Sequence, residues 1–128
     1  MNILLDTHAF LWFIEGSSQL SQEARALIES LDNHRFLSVA SLWEMSIKSS
    51  IGKLDLSLSF VVLVQREVYG NNINLLAIQP VHLDVLAKLP FHHKDPFDRL
   101  IIAQSLTAKI PILTKGHVFD RYGVTRVW

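Results

Sequence analysis

The sequence contains no cysteine, which removes disulfides, iron–sulfur clusters, thiolate zinc sites and cysteine nucleophiles together and predicts a reducing compartment. Glycine and proline are sparse, 5 and 4 among 128 residues, so collagen-like, low-complexity and disordered organisation have no compositional support. No charge of one sign predominates: 12 Lys and Arg balance 12 Asp and Glu. No bulk positive field therefore draws the chain onto nucleic acid, and a polyanion has to be gripped by a local patch. Nor does any window approach the roughly 20 apolar residues that a membrane helix needs. The start Met1-Asn2-Ile3-Leu4-Leu5-Asp6 has no basic n-region, and its acid falls too early for a signal peptide. These absences predict a cytoplasmic protein with no membrane partner.

What is present is a single domain's worth of chain, residues 1–128, with 49% hydrophobic and 19% charged residues. A mean hydropathy of +0.25 is high for so short a chain. With zero net charge to keep copies apart, it predicts that some apolar surface is covered by a partner or a second copy. The consecutive apolar positions Phe10-Leu11-Trp12-Phe13 and Phe60-Val61-Val62-Leu63-Val64 are the expected carriers. A symmetric homodimer and a partner groove are expected to share that surface.

Strands and helices alternate along the chain. Ile3-Leu4-Leu5 is a short run apolar on both faces, as in a buried parallel strand, and Asp6 opens a helix that ends at Gly16. Ser21 begins an amphipathic helix with Ala24, Leu27, Ile28 and Leu31 on one face. Phe36 to Val39 reads as a strand, followed by a helix from Ser41 to near Gly52. Phe60 to Tyr69 is helical, Ile73 to Ile78 extended, and a short helix runs between Pro80 and Pro90. His92 to Pro96 forms a loop and cap before a buried helix from Phe97 to Ala108, then Pro111 to Thr114 and Thr125 to Trp128 supply the last strands. The alternation implies right-handed crossovers and an α/β fold, a three-layer α/β/α sandwich around a mostly parallel sheet of four to five strands.

In such a sheet functional groups gather beyond the carboxyl ends of the strands. That rule selects Asp6, Glu44, Asp95, Asp98 and the polar Thr114. Each acid singly has a structural reading. Asp6 and Asp95 suit N-caps, Ser41-Leu42-Trp43-Glu44 suits a capping box, and Asp98 sits where the helix dipole welcomes it. Together they are harder to explain as caps, since each is set among Leu, Ile, Val, Phe or Trp, where an unpaired carboxylate is costly. Crowded like charges raise one another's pKa unless a cation neutralises them, and an all-oxygen donor set favours Mg²⁺ or Mn²⁺.

Other residues carry weaker signals. Adjacent His92 and His93 cannot easily turn to one ion, which favours a solvated or phosphate-facing role over zinc. His8 reads as a core or hydrogen-bonded histidine rather than a catalyst, and Trp12, Trp43 and Trp128 as core or interface anchors. Gly116-His117 lacks the spacing of a phosphate cradle.

Three segments, Ile3-Leu4-Leu5-Asp6-Thr7-His8, Ser41 to Lys48, and above all His92-His93-Lys94-Asp95-Pro96-Phe97-Asp98-Arg99 with the following Leu100 to Gln104, resemble the PIN-domain family, in particular the VapC-type toxins of toxin–antitoxin pairs. The resemblance implies a PIN-like sandwich, metal-dependent cleavage of RNA phosphodiester bonds and a cognate antitoxin partner. It puts the family's acids on Asp6, Glu44 and Asp98, which would hold Mg²⁺ or Mn²⁺, with Asp95 as an additional catalytic acid. Lys48, Lys94, Arg99 and Lys115 are the cations available to hold the RNA backbone. One departure stands out: after a segment like Ile112-Leu113-Thr114-Lys115 the family usually has another Asp, where this chain has Gly116. A rival reading is therefore a catalytically weakened PIN-like interaction module. An aspartyl phosphatase or phosphotransfer domain is a more distant one, since Asp6-Thr7-His8-Ala9 lacks the second acid such enzymes want close behind the first.

Overall fold

Leu4 and its neighbours Ile3 and Leu5 settle the layering, because successive side chains of a strand point to opposite faces. In the computed structural model, which describes residues 1–128, β1 (Asn2–Leu5) is the central strand of a five-stranded sheet of order β3-β2-β1-β4-β5, parallel throughout. Its partners are β2 (His34–Ser38) and β4 (Ile112–Leu113), flanked by β3 (Asn74–Leu76) and β5 (Arg126–Val127). In register, Leu5 lies beside Leu37 and Leu113, and Leu4 beside Phe36 and Ile112. Ile3, Leu5, Leu37 and Leu113 join one apolar cluster, while Leu4 and Ile112 join another with Ile101, Ile102, Phe119 and Tyr122. Helices cover both faces, which makes the expected three-layer α/β/α sandwich. Each fully buried Leu, Ile or Phe contributes about 1.5–3 kcal/mol.

The first cluster is roofed by α1 (Thr7–Glu15), α2 (Gln22–Glu29) and the segment from α4 (Phe60–Leu63) onward. Asp6 caps α1 by accepting a hydrogen bond from the His8 N–H at 3.0 Å, and Gly16 ends it at φ 66°, a conformation glycine adopts without strain. Ser21 caps α2 through the Ala24 N–H. The expected helix from Phe60 to Tyr69 is present but widens to a π-turn over Val64–Val68 and tightens to a 3₁₀ turn over Tyr69–Asn71. The second cluster is covered by α6 (Pro96–Ala108), against which α5 (Pro80–Lys88) packs, and by a 3₁₀ turn over His117–Tyr122. No helix is long and apolar enough to cross a membrane.

The helix α3 (Val39–Ser50) begins earlier than its sequence suggests. Ser38, not Ser41, is the cap, accepting from the Ala40 N–H at 3.0 Å. The proposed capping box is therefore absent. Ser41 is buried inside the helix and accepts a 2.8 Å hydrogen bond from the Thr7 hydroxyl, which ties α3 to the start of α1. Glu44 moves from the first turn to the second and is freed from any capping duty.

The apolar surface also differs from expectation. Phe10, Leu11 and Leu63 are core residues, and Trp12, Phe13 and Ile14 are partly covered from within, packing on the same cluster as Leu54, Leu56 and Trp128. Of the expected carriers Val61 is uncovered, at 67% exposure, and a further stripe lies on α3 and its C-cap, where Val39, Trp43, Ile47 and Ile51 recur every four residues at 37%, 56%, 37% and 59% exposure.

Candidate metal centre at the carboxyl edge of the sheet

Because the strands are parallel, Asp6 after β1, α3 after β2 and Thr114 after β4 all leave the same sheet edge. The helix α6 returns antiparallel to β4 and so starts there too, with Asp95 as its cap and Asp98 in its first turn. Four acids spread over 93 positions thus meet at one place.

Asp6 is buried at 6% exposure. Its Oδ2 accepts a 2.6 Å hydrogen bond from the Thr114 hydroxyl, while Oδ1 receives the His8 N–H. Burial nevertheless pushes its carboxyl above the ordinary range, with the charge of Glu44 adding to the rise. Glu44 is 2% exposed and paired with Lys48, whose Nζ lies 2.7 Å from Oε2. Its Oε1 is buried without any hydrogen-bond donor. An orphaned carboxylate oxygen in a protein interior costs free energy comparable to a lost hydrogen bond. Asp98 is pushed up to about 8, first by burial and then by the charges of Asp95, Asp6 and Glu44, with Lys48 opposing. The acids therefore feel one another, as crowding at this edge predicts.

Asp95 is chiefly a structural acid here: its Oδ1 accepts the N–H groups of Phe97 and Asp98 at 2.9 and 3.0 Å, which sets the angle at which α6 presents Asp98. Its charge also acts on Asp98.

These residues fit a hard divalent cation in donor chemistry, in mutual repulsion and in the donorless Glu44 Oε1. No three Asp, Glu or His side chains stand at direct-ligand spacing as they are. A cation at this edge would therefore have to be held partly through water.

The expected cations divide. Lys115 is exposed and lines a cleft of about 330 Å³ with Asp6, His8, Trp12, Asp98, Gly116, Val118 and Phe119; its Nζ lies 5.9 Å from the Trp12 ring centre. Lys94 is exposed at the loop before α6. Lys48 is committed to Glu44, and its ammonium is held above the ordinary range by that hydrogen bond. Arg99 is not a phosphate-facing cation. It is 5% exposed, donates from Nη1 to the Pro90 carbonyl at 2.7 Å and the Tyr122 hydroxyl at 3.3 Å, donates from Nη2 to the Leu89 carbonyl, and lies 3.9 Å from the Phe91 ring centre. Its motif position places it on the inner face of α6, where its work is to hold the loop before the helix.

His92 packs edge-on against Tyr122, and His93 joins Tyr122 to Asp98, so the two rings do not share an ion. Burial holds His93 below the ordinary histidine range, so it is neutral near pH 7. Tyr122 is a site residue that no sequence motif marks: it lies 29 residues from His93, on the 3₁₀ turn. At Gly116 a Cβ would stand 3.2 Å from the Phe119 ring, so a side chain there requires that ring to give by a few tenths of an ångström.

A pH dependence follows from Asp98. Its folded pKa of about 8 exceeds the ordinary 3.8, so the folded protein binds that proton more tightly than the unfolded chain. The corresponding stability is complete below pH 3.8 and is lost as pH rises through about 8. Thermal unfolding in EDTA is expected to show the melting temperature of the unaltered protein falling relative to that of Asp98→Asn across this interval. A constant difference between the two curves would show that Asp98 ionises normally.

The family model of the PIN domain matches residues 3–124. Among curated proteins, no sequence matches the chain. Among solved structures, the chain is similar to VapBC2 from Rickettsia felis bound to a promoter DNA fragment, with TM-score 0.74 and 13% identity over 99% of this chain and 98% of that one. It is similar also to FitAcB from Neisseria gonorrhoeae, with TM-score 0.67 and 18% identity over 98% and 96%. A toxin–antitoxin complex from Klebsiella pneumoniae aligns with TM-score 0.61 and 16% identity over 89% and 86%. At such identities these likenesses speak for the fold, and the family match over nearly the whole chain speaks for descent: this chain belongs to the PIN-domain family.

Proposed function

We propose that this protein is an endoribonuclease dependent on Mg²⁺ or Mn²⁺, and the toxin of a VapC-type toxin–antitoxin pair. The observation that carries the reading is the convergence of Asp6, Glu44 and Asp98 at the carboxyl edge of the sheet, with Glu44 Oε1 buried and donorless. PIN domains are generally nucleases that use divalent metal ions. The similar structure from Klebsiella pneumoniae is a toxin–antitoxin complex, which supports the second half of the reading.

Asp6, Glu44 and Asp98 hold the cation through oxygen, directly or through water. When bound, it supplies positive charge that offsets what develops on the phosphate oxygens as the phosphodiester is attacked. Asp6 orients the attacking water by accepting its hydrogen bond, with its own carboxylate fixed by Thr114 and the His8 N–H. Lys115 and Lys94 meet the RNA backbone, and Lys48 holds the Glu44 side chain in place. The test is cleavage of a mixed-sequence RNA oligonucleotide with and without Mg²⁺ or Mn²⁺, beside a DNA oligonucleotide of the same sequence. RNA cleavage abolished by EDTA is expected; no cleavage, with no calorimetric binding of either ion, would leave the weakened interaction module that Gly116 suggests.

Two partners belong to this reading. A cognate antitoxin segment fits the groove of about 260 Å³ lined by Leu11, Ile14, Leu56, Leu58 and Leu63, whose rim carries Glu15, Asp55 and Glu67 and favours an apolar segment with basic flanks. A homodimer is proposed across the Val39, Trp43, Ile47 and Ile51 stripe, where Trp43 meets Phe97 edge-on at 5.1 Å. Sedimentation equilibrium at micromolar concentration is expected to give a dimer, and Trp43→Glu a monomer with an unchanged circular dichroism spectrum. A dimer that survives Trp43→Glu would move the interface elsewhere.

A further inference from the structure

Resting on the reading of Asp98 as a metal-holding acid, we infer that His93 is the positioning residue of Asp98, locked by Tyr122 in the neutral form whose Nε2–H donates to Asp98 Oδ2. The inference comes from counting donors and lone pairs on one buried oxygen. The Tyr122 hydroxyl has a single proton to give and two lone pairs to fill. It accepts the backbone N–H of His93 at 3.1 Å and the Arg99 Nη1–H at 3.3 Å. Neither donor can reverse its role, because a backbone N–H and a guanidinium only donate.

With both lone pairs taken, the Tyr122 proton must go to an acceptor. Two are in reach: His93 Nδ1 at 2.7 Å and the His93 carbonyl at 3.5 Å. The shorter contact has the length of a good hydrogen bond and the longer lies at the limit of one. Nδ1 is therefore the acceptor and carries no proton. A doubly protonated His93 would aim a third donor at an oxygen with no lone pair left, so the geometry selects the neutral ring. The proton of that ring is on Nε2, which stands 3.3 Å from Asp98 Oδ2.

The chain Arg99, Tyr122, His93, Asp98 thus runs from a buried guanidinium to the cleft, and each link fixes the orientation of the next. It explains why Arg99 is buried against the loop that carries His93: the guanidinium anchors Leu89 and Pro90 as well as Tyr122. For Asp98 the result is one oxygen held by a neutral donor and the other left for a cation or water. Partners of this kind, one bond removed from a metal, are typically worth about 10–100-fold in metal affinity.

The test reads the tautomer and the metal separately. In metal-free, uniformly ¹⁵N-labelled protein, long-range imidazole correlation spectra are expected to show His93 protonated at Nε2 only. Tyr122→Phe, which removes the sole proton donor to Nδ1, is expected to turn that single form into a mixture. Calorimetry with Mn²⁺ is expected to give about tenfold weaker binding for His93→Ala, on the scale of such partners. His93→Gln, whose amide reaches the Nε2 position and can donate, is expected to recover most of that loss. Adding Tyr122→Phe to His93→Gln should then cost no further affinity, because the hydroxyl acts through the ring. His93 protonated at Nδ1 in the unaltered protein, or His93→Gln binding as weakly as His93→Ala, overturns the proposal. Failure to cleave RNA, in a protein that shows the Nε2–H form and binds Mn²⁺ as described, overturns the nuclease reading instead and leaves the positioning role standing.

Discussion

Asp6→Asn and Asp98→Asn are each expected to lower metal-dependent RNA cleavage by about a thousandfold, or roughly 4 kcal/mol of transition-state stabilisation, while leaving the protein folded. The amide keeps the shape of the carboxylate and removes its charge. At position 6 asparagine remains a favoured helix cap, so the His8 N–H keeps its partner. The Thr114 hydroxyl, which now donates to Asp6 Oδ2, can turn to accept from the new amide with the lone pair that Gly116 N–H leaves open. At position 98 the substitution removes one of several mutually repelling acids, which relieves the strain that burial and Asp95 place on it. Asparagine also offers His93 an amide oxygen in place of the carboxylate. Neither variant is therefore expected to lose thermal stability, and circular dichroism melts alongside a fluorogenic RNA assay separate loss of chemistry from loss of fold. Cleavage that survives both substitutions, or that persists in excess EDTA, would exclude this mechanism.

What could be read from the residues in order was the part of the fold written in local chemistry. The apolar triplet Ile3-Leu4-Leu5 ending in an acid specifies a buried strand and a cap within a few residues, and the structure has both. Asp95-Pro96-Phe97-Asp98 likewise contains its own helix start: a cap, a proline at the first position and an acid for the dipole. Where two local solutions competed, tertiary packing chose. Ser38 and Ser41 are both competent caps. Starting α3 at the end of β2 buries Leu42 and Met45 in the core and gives Ser41 the Thr7 hydroxyl, which a later start would forgo.

Charge was the least legible property, because a sequence gives the sign of a side chain and not its surroundings. Lys48 and Arg99 look like surface cations, yet one neutralises Glu44 across a helical turn and the other is enclosed by carbonyls and an aromatic ring. Only Lys94 and Lys115 of the expected set are exposed without such a commitment to an acid or carbonyl. The pairing of His93 with Tyr122 spans 29 residues and is made by the return of the chain from β4, so no motif spacing announces it.

The placement of Arg99 leads to the second large effect. Arg99→Ala is expected to destabilise the protein by about 3 kcal/mol, because it leaves the Leu89 and Pro90 carbonyls without their donor and the Tyr122 hydroxyl with one donor of its two, and removes the guanidinium from the face of Phe91. Urea unfolding reads this as a lower midpoint with an unchanged slope. Arg99→Lys is expected to recover only part of the loss, since a compact ammonium cannot span acceptors that a planar fork reaches together. Arg99→Gln, which removes the charge that Arg99→Lys keeps, decides between a structural and a phosphate-binding arginine. Measured on folded protein, the dependence of RNA affinity on salt should be the same for Arg99→Lys and Arg99→Gln as for the unaltered protein, whereas Lys115→Ala, at an exposed cleft position, should lower the slope of log K against log salt by about one phosphate contact's worth, roughly 0.7 for a single strand. A comparable fall in slope on neutralising Arg99 would mean that it leaves its carbonyls to meet RNA, and the loop before α6 would then have to open when substrate binds.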